Sequence, residues 1–250
     1  MRSKAEHSFI RRFNAHFNCI KLTGFLSVKS CADRNEKMRE GRGRLSRFAN
    51  YYSGVVMLDF DEKKFEEKTL SREEIFHGKI FHVVRDIVSL PDNTTSFREL
   101  VFHNGGVAIA PVRCDKMILV GQYRKALEQF IFEIPAGKLE VGEELNPQAA
   151  ALRELEEETG YKAENLIEIS AFYGTPGFSS EKTYVYFSSE LTKIKHPRAA
   201  DVGEFLEKVE VTLPEAKEMI ATGQISDAKT ILAIWYWEIQ QLKAEVEKNA

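Results

Sequence analysis

The stretch from Gly137 to Tyr161, GKLEVGEELNPQAAALRELEEETGY, limits what this 250-residue chain can fold into more than any other. Asn146 followed by Pro147 predicts a helix start, because an Asn side chain caps the first unpaired N–H groups and Pro fits the first helical turn. Gly160 supplies the stop, so a helix of about 13 residues is expected between them. At ~100° per residue, Leu152, Leu155 and Thr159 fall on one side, while Glu154, Glu157 and Glu158 lie within an arc of about 100° on the other. Alone, such a face reads as a solvated acidic surface. Its context argues otherwise. Ile134-Pro135-Ala136-Gly137 ends a strand just before the helix, so a carbonyl such as that of Ala136 can lie beside the carboxylates. Hard oxygen ligands from two sources suit magnesium, with substrate phosphates and water completing its shell. Arg153, on the same turn as Glu154, can hold a carboxylate in place by a bidentate contact.

Strand-like runs surround this helix. Ile80–Leu90 is rich in Val, Ile and Phe, Pro91-Asp92-Asn93 reads as a turn, and Phe97–Phe102 resumes the strand pattern, a small antiparallel unit. Val107–Val112 and Met117–Tyr123 are two further strands across a short polar turn. Beyond the helix, Leu166–Tyr173, Thr183–Ser188 and Phe205–Val211 read as strands, and Leu213–Thr222 and Asp227–Lys243 as helices. This alternation predicts an α/β fold, an α/β/α sandwich with a mixed sheet. The expected organisation is an N-terminal extension over residues 1–56, the antiparallel β unit over 57–103, and the main domain over 104–246.

Charge separates the extension from the rest. Residues 1–56 carry twelve Lys/Arg against four Asp/Glu, a balance of +8, while residues 57–250 carry 23 against 34, a balance of −11. Like charge and low apolar density predict a poorly ordered arm, with Met57 a natural start for the functional body. An acidic body without a recognisable recognition helix argues against nucleic acid as a partner. Cys19, Cys31 and Cys114 are odd in number and show no CxxC spacing, which points to a reducing cytoplasm and away from a disulfide framework. No apolar run approaches the roughly 18–20 residues needed to cross a bilayer.

The helix and its loop resemble the Nudix box: a Gly, a loop Glu, then Arg-Glu-apolar-x-Glu-Glu-x-Gly-apolar. Here these are Gly137, Glu143, Arg153, Glu154, Leu155, Glu157, Glu158, Gly160 and Tyr161. Nine residues separate Glu143 from Arg153 where the family has seven, so Glu144 and Leu145 read as an insertion in the loop. Either Glu143 or Glu144 takes the loop glutamate's supporting role. Gln122-Tyr123-Arg124, Glu133-Ile134-Pro135-Ala136-Gly137 and Thr175-Pro176-Gly177 are similar to the ADP-ribose diphosphatase and nucleoside-diphosphate-sugar hydrolase subgroup.

That resemblance implies cleavage of ADP-ribose to AMP and ribose 5-phosphate. The alternatives are a broader nucleoside-diphosphate-sugar hydrolase and a non-catalytic module that senses ADP-ribose. Magnesium, with manganese as a substitute, is implied on Ala136, Glu154, Glu157 and Glu158. Arg124 is expected at a phosphate, and Arg98 and Glu99 near the nucleotide or terminal sugar. Phe76 is a candidate surface for a nucleobase, Pro176 lies in a substrate loop, and Asp227 and Lys229 open the last helix where sugar-nucleotide enzymes carry this pair. Glu204 is the first candidate for the base, with Asp201 and Glu157 as alternatives, and Arg153 orders the carboxylates. The amino-terminal strands imply a homodimer.

Overall fold

In a computed structural model of the chain, residues 51–52, 55–56, 60–140, 142–199 and 203–249 are described. The extension assigned to residues 1–56 lies outside them, apart from a short antiparallel ladder of Tyr51–Tyr52 with Val55–Val56. That ladder belongs to a unit spanning Met1–Asp61, and the body is a second unit, Glu62–Ala250.

The body begins with a three-stranded antiparallel sheet of β1 (Lys68–His77), β2 (Phe81–Ser89) and β3 (Thr95–His103). The expected turn joins β2 to β3. Asp92 Oδ1 accepts from the Thr94 amide at 2.9 Å, and Asn93 adopts φ 66°, a conformation Asn tolerates better than most residues. Alternation gives β2 two faces. Val84, Asp86 and Val88 are buried, while Ile87 and its β3 partner Phe97 are exposed. The buried Asp86 is ionised against Arg72, whose Nε and Nη2 each donate at 2.7 Å.

The main sheet draws on β4 (Gly106–Arg113), β5 (Lys116–Arg124), β6 (Gln129–Glu133) and β7 (Ala136–Lys138). Helix α1 (Pro147–Thr159) follows, then the short strand β8 (Tyr161–Ala163), and then β9 (Ile167–Tyr173) and β10 (Lys182–Ser188) of the main sheet. The short strand β11 (Leu191–Lys193) pairs with β8 apart from that sheet. Strand β12 (Glu207–Val211) and helices α2 (Leu213–Ala221) and α3 (Ala228–Lys248) complete the chain. The strand order is β9-β10-β4-β5-β12, with β7 also pairing β4 and β6 also pairing β5. The β10–β4 pair is parallel and the other pairings are antiparallel, so the sheet is mixed as expected.

Strand β4 organises the core because it is buried everywhere except Arg113. Its Val107 and Ile109 join Ala150, Ala151 and Leu155 of α1. Its Ala108, Ala110 and Val112 join Ala233, Ile234 and Trp237 of α3. The period-2 alternation of one apolar run thus fills two helix–sheet interfaces, the α/β/α sandwich the sequence predicts. Pro111, paired with Ser188, sits where β4 leaves β10 and takes up β5 at Val112, a place where its missing N–H is tolerated. No helix among the described residues is long and apolar enough to cross a membrane.

Candidate active site

Helix α1 runs over the 13 residues expected and is capped as expected. The Asn146 side chain accepts from the Ala149 amide at 3.4 Å, and Gly160 closes the helix at φ 78°. The carboxylate side of α1 is not a solvated face, in line with the strand end expected beside it: Glu158 is 7% exposed, and its Oε2 accepts the Ala136 amide at 3.0 Å. One expectation needs correction. Leu152, placed on the apolar side, is only half-buried. The cause is tertiary, since strand β7 covers the carboxylate side while the sheet covers Leu155.

Gly137 is part of that cover. A Cβ there would lie 1.8 Å from Glu154 Oε1, so the carboxylate occupies space that any other residue would fill. Arg153 collects the remaining acids. Its Nη1 donates to Glu154 at 2.8 Å and Glu157 at 2.9 Å, and its Nη2 to Glu143 at 3.2 Å. Of the two loop glutamates, Glu143 therefore supports the helix, while Glu144 accepts from the Gly142 amide at 2.7 Å. Glu157 is held by Arg153 and lies 3.9 Å from Arg198, off the cavity wall.

Glu154, Glu158 and Glu204 line a cavity of about 940 Å³, together with Ala136 and Gly137. Arg124, Glu133, Asp227 and Lys229 line it as well. Burial raises the pKa of Glu154 to about 7 and that of Glu158 to about 8; repulsion from Glu157 and Glu204 adds to the first shift and from Glu154 and Glu204 to the second. Among the cationic residues the balance is reversed. Burial opposes ionisation of Glu133, yet Arg124 and Lys229 overcome it and hold its pKa below the ordinary value. Arg124 Nε donates to Glu133 Oε1 at 2.5 Å and Nη2 to Oε2 at 2.9 Å, and Lys229 Nζ bonds both Glu133 and, at 2.8 Å, Asp227.

The other expected residues fall elsewhere. Arg98 donates to Glu67 at 2.5 and 2.8 Å, and Glu99 accepts from Arg85 at 3.1 Å. Phe76 is half-exposed against Phe81, ring centroids 5.8 Å apart, and Pro176 is exposed in its loop. None of these four lines the cavity of its own chain. The Pro176 loop is nevertheless tied to β3, since the Val101 amide donates to Phe178 O at 2.8 Å and the Ser180 amide to Val101 O at 3.0 Å. Asp201 lies outside the described residues. Sequence reasoning missed Lys79, His103, Asn104 and Glu181 in the cavity wall, and it missed Glu133 as the partner of Arg124 and Lys229. Glu133 stands inside a quoted motif, but partners 9 and 96 residues away leave no local signal.

The donor set fits a divalent cation. A buried and a largely covered carboxylate, Glu158 and Glu154, share one wall, and each is easier to protonate than an ordinary glutamate until a cation compensates it. Among the described residues no three carboxylate, imidazole or thiol side chains cluster closely enough to hold an ion by themselves. Backbone, water and substrate oxygens must complete such a shell, which is what magnesium commonly accepts.

The fold is a mixed sheet between helices, and acidic side chains of one helix share a cavity wall with an arginine and a lysine. A model of the NUDIX domain matches residues 103–233, and the chain belongs to that family. It is 47% identical over 180 residues to the ADP-ribose pyrophosphatase of Bacillus subtilis (strain 168), spanning 72% of this chain and 96% of that one. It is 44% identical, over the same shares of each, to the methanol dehydrogenase activator of Bacillus methanolicus. The crystal structure of an ADP compounds hydrolase shares the fold, with a TM-score of 0.63 over 72% of this chain and 96% of that one at 22% identity.

Proposed function

We propose that the protein hydrolyses the diphosphate bond of ADP-ribose to give AMP and ribose 5-phosphate, using magnesium, or manganese in its place, on Glu154 and Glu158. One observation carries this reading: a single cavity places the carboxylates of Glu154 and Glu158 together with Arg124 and Lys229, so it can hold a dication and a diphosphate side by side. The substrate follows from the relative named ADP-ribose pyrophosphatase, which matches over nearly its whole length.

A dication on Glu154 and Glu158 supplies Lewis acidity to a phosphoryl oxygen and lowers the pKa of water. Arg124 neutralises charge on the diphosphate. Water adds to one phosphorus as the bridging P–O bond breaks, and Glu204 takes its proton. Glu204 lines the cavity and Glu157 does not, which favours Glu204 for that role. Arg153 orients Glu154 and Glu157.

The active form is a homodimer. Strand β1 is exposed at every position, and Leu70, Ile75, Phe76, Ile87 and Phe97 leave the small sheet with an uncovered apolar surface. Arg98, Glu99, Phe76 and Pro176, absent from the cavity of their own chain, serve the nucleotide from this interface.

The test is turnover of ADP-ribose, ADP-glucose, GDP-mannose and UDP-glucose with and without Mg²⁺, products identified by mass spectrometry. Mg²⁺-dependent release of AMP from ADP-ribose is expected, and Glu158→Gln should reduce it roughly 100-fold or more. Comparable cleavage of all four substrates would replace ADP-ribose with a broad sugar-nucleotide class. Binding of ADP-ribose without cleavage would point to a sensor.

A further inference from the structure

Arg124 is the last residue of β5, where a long cationic side chain ordinarily extends into water. Its Cα is paired with Gln129 across the β5–β6 ladder, whereas Glu133 stands four residues further along, opposite Val120. Paired residues share a face of the sheet, as do residues two and four apart. The guanidinium therefore reaches Glu133 by lying back along the strand over Gln122, and the cavity wall includes Gln122, Arg124 and Glu133. Glu133 is 3% exposed and cannot move toward Arg124. Its neighbours are fastened: the Phe132 amide donates to Gln224 O and the Ile134 amide to Thr230 Oγ1, both at 2.9 Å. Lys229, on the first turn of α3, holds Glu133 Oε2 from the other side.

We propose that Glu133 is a positioning residue: anchored by Lys229, its carboxylate takes up Nε and Nη2 of Arg124 and so presents Nη1 to the anionic substrate. Among the described residues Nη1 makes no hydrogen bond, while both other guanidinium nitrogens are engaged. The carboxylate turns a strand-end surface arginine into a fixed cation of the cavity wall. Lys229 supplies the second positive charge that lets Glu133 stay ionised while buried. This inference rests on the reading that Arg124 meets the diphosphate.

A double-mutant cycle tests it. Glu133→Gln, Arg124→Ala and the pair are assayed with ADP-ribose at saturating Mg²⁺, reading KM and kcat separately. Glu133→Gln is expected to raise KM roughly tenfold with a smaller change in kcat, and to add nothing once Arg124 is alanine. If Glu133→Gln folds poorly, Glu133→Asp keeps the charge and shortens its reach. That variant should keep thermal stability and still raise KM, with no further effect once Arg124 is alanine. If Glu133→Gln raises KM by the same factor in the wild-type and Arg124→Ala backgrounds, the positioning role is overturned and the diphosphate reading stays intact. An unchanged KM in Arg124→Ala would overturn both.

Discussion

Residue identity matters most where a side chain and a backbone compete for the same space. Gly137 is such a place, because Glu154 packs its carboxylate where a Cβ would stand. Gly137→Ala is expected to push Glu154 out of the wall and lower kcat roughly tenfold or more, since catalytic groups tolerate little displacement. Steady-state kinetics with a parallel thermal melt checks this, and a loss of melting temperature with undiminished kcat would contradict it. Glu154 and Glu158 pose an electrostatic problem as well. Their folded pKa values, about 7 and about 8, lie above the ordinary 4.5 because burial disfavours the charged form. The stability they contribute is therefore fully present below about pH 4.5 and is lost as pH rises through 7 to 8. Carboxylates shifted the other way, such as Asp86 and Glu133, contribute above the unfolded range and lose their effect in acid, so they leave this window clear. Melting temperature in chelator should fall between pH 5 and 8, and added Mg²⁺ should restore it most at the alkaline end. A flat profile in chelator would contradict the assignment.

Elements are set by their ends. Helix α1 keeps its register on the core through Asn146, Pro147 and Gly160, so the carboxylates reach the wall at the right heights. Its cap bond is long, 3.4 Å, and Asn146→Ala should cost about 0.5–1 kcal/mol in urea unfolding. The β4–β5 hairpin turns through Cys114 and Asp115, both left-handed at φ 48° and 55°. Two consecutive positive φ values define the turn type that suits a right-twisted hairpin, and it favours Asn-Gly over Cys-Asp. Replacing Cys114 with Asn and Asp115 with Gly should therefore stabilise the protein by about 1 kcal/mol. An unchanged or lower urea midpoint would show that the pair is not strained.

At the scale of the whole molecule, the small sheet and the sandwich are joined through the cavity's own rim. The Ser180 side chain accepts the His103 amide at 3.0 Å while Val101 pairs with the Pro176 loop, so β3 is fastened to the segment that leads into β10. Rearrangement of the exposed sheet therefore reaches His103 and Glu181 directly. The face bearing Ile87 and Phe97 is expected to be buried between two subunits. Ile87→Glu with Phe97→Glu should convert a dimer to a monomer in sedimentation equilibrium, without unfolding, because both positions are exposed within one chain. A wild-type monomer at micromolar concentration would remove the dimer from the account.

Much of this molecule could be read along the chain because the governing signals are local. Asn146-Pro147 and Gly160 bound a helix through bonds that span no more than four residues, and the apolar run Val107–Val112 reads as a strand. The glutamates were legible for the same reason, since helical spacing alone brings Glu154, Glu157 and Glu158 to neighbouring turns. What they face was legible only in part: the strand end at Ala136 and the help of Arg153 were expected. The contact of Arg198 with Glu157 and the Arg124–Glu133–Lys229 network join segments with no sequence signature for one another. Local hydrogen-bonding rules determined where the helix and strands form. The tertiary structure decided which charges lose water and which gain a partner, because desolvation and pairing depend on segments that meet only when the chain has folded.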